Sequence, residues 1–282
     1  MAYVLFDIGG TKTRVAISDD LKTFEPAEKF DTPLTFTEGM EVMHDAIERL
    51  RKGRKIKALA GGMRGPLNHE KTGIVSEIKL KDWIGRSIVD GLGERWVAPV
   101  HLENDAAIVA LGEAHFGAGR GYEIIAYHTV STGVGGARIV KGKIDVTSTG
   151  FEPGHQVLDI DRSILGPNTA HTLENLVSGE ALEKRRGVKP YEIPQSDKVW
   201  DELARYLAKG LKTSILYWSP EVIVLGGSMI VGDPRILLSD IARYTKEELG
   251  TSLPCPKIVD AELKDEGGLY GAMALLKQKL AK

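Results

Sequence analysis

An α/β architecture built as two lobes is the fold class this sequence predicts, and three observations carry it. Short apolar runs of strand character alternate with longer segments of helical spacing. Two of those runs, one near the start and one near the middle, are broken by glycine turns and resume as strands. The 282 residues allow two lobes of about 100–150 residues, each large enough for its own core.

In chain order, Tyr3–Asp7 reads as a buried strand, broken by Gly9-Gly10 and resumed over Thr13–Ile17 as a hairpin. Thr37–Leu50 puts Met40, Met43, Ile47 and Leu50 on one helical face, with Thr37 as N-cap. Ile56–Ala60 reads as an interior strand stopped by Gly61-Gly62, and Arg64–Leu67 as loop. Val97–His101 reads as a strand, followed by the polar trio Glu103-Asn104-Asp105 and a helix over Ala106–His115. Glu123–Val130 is strand-like, Thr132–Gly136 a tight turn, and Ala137–Val140 a second strand. The charged, proline-containing stretch 180–198 reads as surface helix and loop, and Trp200–Trp218 as a long helix. Val222–Leu225 is a buried strand ending at Gly226-Gly227, and Gly268–Leu280 a terminal helix. Gly9–Val15 and Gly133–Ile139 form a short internal repeat that aligns Arg14 with Arg138.

Bulk properties exclude several classes. A net charge of −2 gives no basic footprint for nucleic acid. The single cysteine, Cys255, permits no internal disulfide and no cysteine-rich cluster, and suits a reducing compartment. The apolar stretch Ala2–Phe6 meets Asp7 at once, too early for a secretory signal, and no apolar run reaches the roughly 18–20 residues that span a bilayer. A cytoplasmic protein without membrane partners is expected.

The two glycine turns offer closely spaced N–H donors with no Cβ in the way, which suits phosphate groups. The first is Asp7-Ile8-Gly9-Gly10-Thr11-Lys12-Thr13 and the second Ser131-Thr132-Gly133-Val134-Gly135-Gly136. Thr11 and Thr132 add hydroxyls and Lys12 a positive charge. Asp7, at a strand end, can hold Mg²⁺ through water. Either turn alone reads equally as an ordinary hairpin. Neither a P-loop nor a G-x-G-x-x-G fingerprint occurs. Gly226-Gly227-Ser228 is a third point of close backbone approach, able to take a flat ring, or simply a strand-to-helix turn.

Asp105 follows a strand and opens a helix, so it reads both as an N-cap and as a carboxylate able to orient a hydroxyl and take its proton. Asn104 reads as a turn residue or a hydroxyl ligand. Glu152-Pro153-Gly154-His155 sits in a loop whose Pro and Gly fix the backbone, so Glu152 and His155 can face one ligand. Glu174 reads locally as a helix-start acid.

Taken in order, these segments resemble the ROK family (repressors, open reading frames and sugar kinases). Asp7–Lys12 resembles its first phosphate motif, Gly65-Pro66 its turn near the sugar, and Glu103–Ala106 its N-D motif. Ser131–Gly136 resembles the second phosphate motif, Glu152–His155 with Leu173-Glu174 the sugar-binding motif, and Val222–Ser228 the adenosine motif. The resemblance implies an actin-like ATPase fold with ribonuclease-H-like cores, its two lobes closing over ATP and sugar. Those lobes would run 1–115 with 269–282, and 116–268.

It also implies an ATP-dependent kinase acting on a hydroxyl, usually the 6-hydroxyl, of a hexose or N-acetylhexosamine. Asp105 would be the base. Gly65, Asn104, Asp105, Glu152, His155 and Glu174 would meet the sugar. Gly9, Gly10, Thr11, Lys12, Ser131, Thr132, Gly133, Gly226, Gly227 and Ser228 would surround the nucleotide, with Asp7 near Mg²⁺. A homodimer is expected.

One departure stands out. The family usually follows the G-H motif with a cysteine-rich zinc site, whereas Gln156–Leu173 has no cysteine, so no structural zinc is expected. Packing of Ile160–Leu165 is the expected replacement brace for His155. Three alternatives differ in sequence demands. A repressor would need a DNA-binding segment before the strand at Tyr3. An activator of a radical dehydratase would need cluster-binding cysteines. A sugar-binding protein without turnover would not need Asp105.

Overall fold

The computed structural model describes residues 1–251 and 253–281. Two compact units divide the chain: Met1–Phe116 with Val146–Gly150 and Asp265–Lys282, and Gly117–Asp145 with Phe151–Lys264. The return to the first unit falls at Asp265, whose carboxylate binds Arg14 of that unit at 2.7 Å.

In the first unit, β1 (Ala2–Ile8) and β2 (Lys12–Ser18) form the expected antiparallel hairpin, and β3 (Glu28–Asp31) continues it. After α1 (Phe36–Arg51), β4 (Ile56–Met63) pairs parallel with β1. After α2 (Ile88–Trp96), β5 (Val100–Asn104) pairs parallel with β4, which completes the order β3-β2-β1-β4-β5. Val4, Phe6 and Ile8 alternate along β1 into a core shared with Met43, Ile47, Leu59 and Trp83. The helix α3 (Asp105–Phe116) starts directly at the end of β5.

Three local expectations change here. Helix α1 begins at Phe36, not after Thr37, because the Asp82 carboxylate accepts the Phe36 N–H at 2.8 Å. Strand β4 does not stop at Gly61-Gly62. Paired on both sides, it runs on to Met63, and a Cβ on Gly61 would lie 2.2 Å from the Phe6 ring. The glycines thus make room in a sheet interior rather than end a strand. Val97 belongs to no strand: it closes α2 in the left-handed region, with φ 49°.

In the second unit, β6 (Ile124–Val130), β7 (Val134–Val140) and β8 (Lys143–Ile144) form an antiparallel meander. The helices α4 (Leu173–Val177), α5 (Gly179–Arg186) and α6 (Val199–Trp218) follow, then β9 (Val222–Gly226), α7 (Ser228–Val231), α8 (Leu238–Leu249) and β10 (Lys257–Asp260). Strands β9 and β10 add in parallel, giving the order β10-β9-β6-β7-β8. The topology therefore repeats that of the first sheet. The sequence repeat has the wrong phase, however. The pair next to the turn is Ile8↔Thr13 in one hairpin and Val130↔Val134 in the other, so Arg14 corresponds to Gly135, not Arg138. Arg138 instead binds Asp145 and the Trp218 carbonyl.

The C-terminal helix, Gly267–Leu280, returns to the first unit and packs on α3. Glycines allow the close approach: a Cβ on Gly271 would lie 1.8 Å from the Ile108 carbonyl oxygen, and one on Gly112 would lie 2.5 Å from that of Gly267. Neither contact is with a flexible side chain that can swing away. Gly271→Ala is therefore expected to destabilise the protein by roughly 2–4 kcal/mol and to displace α3. Thermal unfolding within a degree of wild type would contradict this.

Candidate functional site

In the first unit the candidate residues collect where β1, β4 and β5 end. This is the carboxyl edge of the parallel strands, the usual place for ligands in open α/β sheets. Gly62 lies between two carboxyl-bearing residues. A Cβ there would sit 3.3 Å from the Asp105 Cα and 3.6 Å from an Asp7 oxygen. The bare backbone of β4 thus lets Asp7 and Asp105 approach each other.

Burial, followed by the nearby Asp105 carboxylate, pushes the Asp7 pKa up to about 7, with Arg14 opposing the rise and Asp265 adding to it. Burial also raises Asp105 above the usual carboxylate range, against the Ala106 N–H and Arg64, which hold it down. Arg14 reaches Asp7 only at 3.6 Å and is more tightly bound to Asp265 at 2.7 Å. Negative charge is therefore in excess here, a setting that fits a divalent cation on Asp7. Gly268 backs this acid, since a Cβ there would lie 2.8 Å from the Asp7 carboxyl carbon.

The neighbours divide their work differently from expectation. Asn104, not Asp105, caps α3: its carbonyl accepts the Ala107 N–H at 3.2 Å, and its amide donates to the Gly65 carbonyl, also at 3.2 Å. One Asp105 oxygen takes the Ala106 N–H at 2.8 Å. Gly65 turns with φ 103°, and a Cβ there would strike the Ser76 carbonyl at 2.9 Å. In the first glycine turn, the Gly9 N–H donates to the Lys12 carbonyl and the Thr32 hydroxyl to the Gly9 carbonyl. The Thr11 carbonyl accepts the Thr32 N–H. The Lys12 ammonium is drawn to the exposed Asp31 at 2.6 Å, a surface pair weak enough to be exchanged for a ligand.

In the second unit, Ser131–Gly133 and Gly226–Ser228 come together, with the Ser131 and Ser228 hydroxyls 3.0 Å apart. Gly227 has φ 88°, and a Cβ on it would collide with the Val130 backbone. Carbonyls of the glycine turn are taken up by the start of α5: Gly179 N–H donates to Ser131 and Glu180 N–H to Thr132. Glu174 lies over the same turn, accepting the Val134 N–H at 2.8 Å. A Cβ on Gly133 would come within 2.5 Å of that carboxylate. Gly133→Ala is expected to push Glu174 off Val134 and to lower stability by on the order of 1–2 kcal/mol. An unchanged melting temperature would count against that contact.

Glu152 precedes a single helical turn, Pro153–His155, that His155 ends, and both are exposed. The turn packs on β7, where Cβ atoms on Gly136 and Gly154 would strike Pro153 and the Val134 carbonyl. Of the segment Ile160–Leu165, Leu165 packs against the core of the second unit, whereas Ile160 is 82% exposed. Hydrogen bonds also close the segment. Leu173 N–H donates to the Gln156 carbonyl at 2.9 Å, and Leu158 N–H to that of His171 at 3.0 Å. The buried Asp159 carboxylate accepts the Leu165 N–H at 2.8 Å and the Ile164 N–H at 3.2 Å. Both ends are thereby tied, one leading from His155 and the other into Glu174. Among the described residues no group of three or more His, Cys, Asp or Glu side chains is arranged to hold a metal ion, and no helix is long and apolar enough to cross a membrane.

Arg64, Glu77, Asp159, Asp265 and Gly268 were not singled out from sequence. The Gly267-Gly268 pair before a helical stretch was the one visible signal among them. The other four are ordinary charged residues until folding gives them neighbours.

Comparison with known proteins agrees with this fold. The sequence pattern of the ROK family matches residues 3–279. The crystal structure of a ROK hexokinase from Thermus thermophilus superposes with a TM-score of 0.82 at 30% identity, covering 99% of each chain. A ROK family glucokinase from Streptomyces griseus, solved with glucose and AMPPNP, gives 0.81 at 25% identity over 99% of this chain and 100% of that one. An N-acetyl-D-glucosamine kinase of Mannheimia succiniciproducens is 28% identical over 97% of this chain and 99% of its own length. The actin-like fold of these neighbours is the fold of this chain.

Proposed function

The chain belongs to the ROK family, and from that premise we propose that it transfers the γ-phosphoryl group of ATP to the 6-hydroxyl of a hexose or N-acetylhexosamine. The observation that carries the proposal is the pairing of Asp105 and Asp7 across Gly62 at the sheet edge. One acid serves the acceptor and the other the metal-bound phosphates. Asp105, ionised, accepts the proton of the sugar hydroxyl as its oxygen bonds to phosphorus and the bond to ADP breaks. Asn104 keeps the helix end capped and the Ala106 N–H takes one Asp105 oxygen, so the other oxygen is left to the substrate.

Gly65, Asn104, Asp105, Glu152, His155 and Glu174 are the sugar ligands in this reading. Gly9–Lys12, Ser131–Gly133 and Gly226–Ser228 serve the nucleotide. Mg²⁺, when bound, neutralises phosphate charge, and Asp7 is the residue to hold it through water. The homodimer implied by the family resemblance and the cytoplasmic location expected from the composition go with this reading, and sedimentation would report the dimer.

The test is sugar-dependent ADP release from Mg-ATP across glucose, fructose, mannose, N-acetylglucosamine and N-acetylmannosamine. Release with at least one of them is expected. Sugar binding without ADP release would instead make the chain a sugar-binding protein without turnover.

A further inference from the structure

Between the acceptor at Asp105 and the donor at the first glycine turn stands one cation that the family resemblance does not assign. Arg64 follows β4, its N–H donating to the Ile8 carbonyl at 3.0 Å. Its side chain lies over the first glycine turn: a Cβ on Gly10 would be 3.1 Å from its Cδ and 3.5 Å from both Nε and Nη1. It is close enough to Asp105 to hold that carboxyl's pKa down. Glu77, only 8% exposed, holds Nε at 3.3 Å, which leaves the two Nη groups for a ligand.

Of the other cations nearby, Lys12 is already assigned to the nucleotide and rests on the exposed Asp31, and Arg14 is engaged with Asp7 and Asp265. A phosphoryl group in flight from the glycine turn to a hydroxyl at Asp105 carries its charge on three oxygens and gains from a fixed guanidinium there.

We infer that Arg64, pinned by Glu77, contacts the transferring phosphoryl group and stabilises its charge during transfer. The inference rests on the kinase reading but has its own readout. In Arg64→Met, kcat is expected to fall about 100-fold or more, while the sugar dissociation constant stays within about threefold. Affinity for Mg-AMPPNP is expected to fall about tenfold and that for Mg-ADP to change less than about twofold, since only the former has a γ-group to meet Arg64.

Guanidinium ion at low concentration is expected to restore part of the Arg64→Met rate, and Arg64→Lys to retain more activity than Met. If Arg64→Met misfolds, the same two comparisons are made on Arg64→Lys. A kcat within about threefold of wild type, or equal loss of both nucleotides, overturns the role of Arg64 and leaves the kinase reading standing. A wild type that releases no ADP with any sugar defeats the kinase reading, and the nucleotide comparison then still decides whether Arg64 meets a γ-phosphate. A wild type that binds neither nucleotide defeats both.

Discussion

Asp105→Asn is expected to lower kcat by about 10²–10⁴-fold, the range of a lost general base, while the protein still binds sugar. The substitution keeps the fold: an amide oxygen can still accept the Ala106 N–H, and Asn104 caps α3 independently. What it removes is proton affinity. In wild type the acid limb of kcat/KM should lie above the ordinary carboxylate range, because burial raises Asp105. Activity falls as pH drops through that raised value, since the protonated acid cannot accept the hydroxyl's proton. A limb at ordinary carboxylate pH, or an Asn variant within tenfold of wild type, would remove Asp105 from the role.

Asp7→Asn should show opposite effects with and without ligand. The folded pKa of Asp7, about 7, exceeds its usual 3.8. Between those values the folded state holds a proton that the unfolded state has lost, so stability falls as pH rises through the window. Above pH 7 the buried charge costs up to about 4 kcal/mol in the ligand-free protein. The Asn variant cannot ionise and leaves Arg14 to Asp265. Ligand-free Asp7→Asn should therefore melt several degrees above wild type at pH 8 and no higher than wild type at pH 4. With Mg-ATP the order reverses, because wild type gains a cation on Asp7 and the variant does not. Removing Mg²⁺ with a chelator should abolish the wild-type gain. A variant less stable than wild type at pH 8 without ligand would contradict the excess negative charge inferred at this edge.

Much of this site was legible as residue types in order. Asp7–Thr13, Asn104-Asp105, Ser131–Gly136 and Glu152–His155 each carry local signals, and the hairpins form where glycines break apolar runs. What sequence could not supply was direction and partnership. Gly61-Gly62 looked like a strand end because nothing local shows that Phe6 needs the space. Asp105 and Asn104 are both good caps by type, and only the Ala107 N–H chooses Asn104. Lys12 beside two glycines suggested phosphate, yet β3, a four-residue strand not foreseen, offers Asp31 first. Helix α2 was hidden by Gly91 and Gly93, and β10 by the prolines before it. Glu174 was read as a helix-start acid, and its bond to Val134 crosses forty residues of chain.

The most direct measurement is mass spectrometry of sugar incubated with Mg-ATP and either wild type or Asp105→Asn. Wild type should yield a hexose or N-acetylhexosamine monophosphate in step with ADP, and the Asn variant almost none while it still binds the sugar. Equal sugar phosphate from both proteins, or ADP from wild type with no phosphorylated sugar, would contradict a sugar kinase built around Asp105.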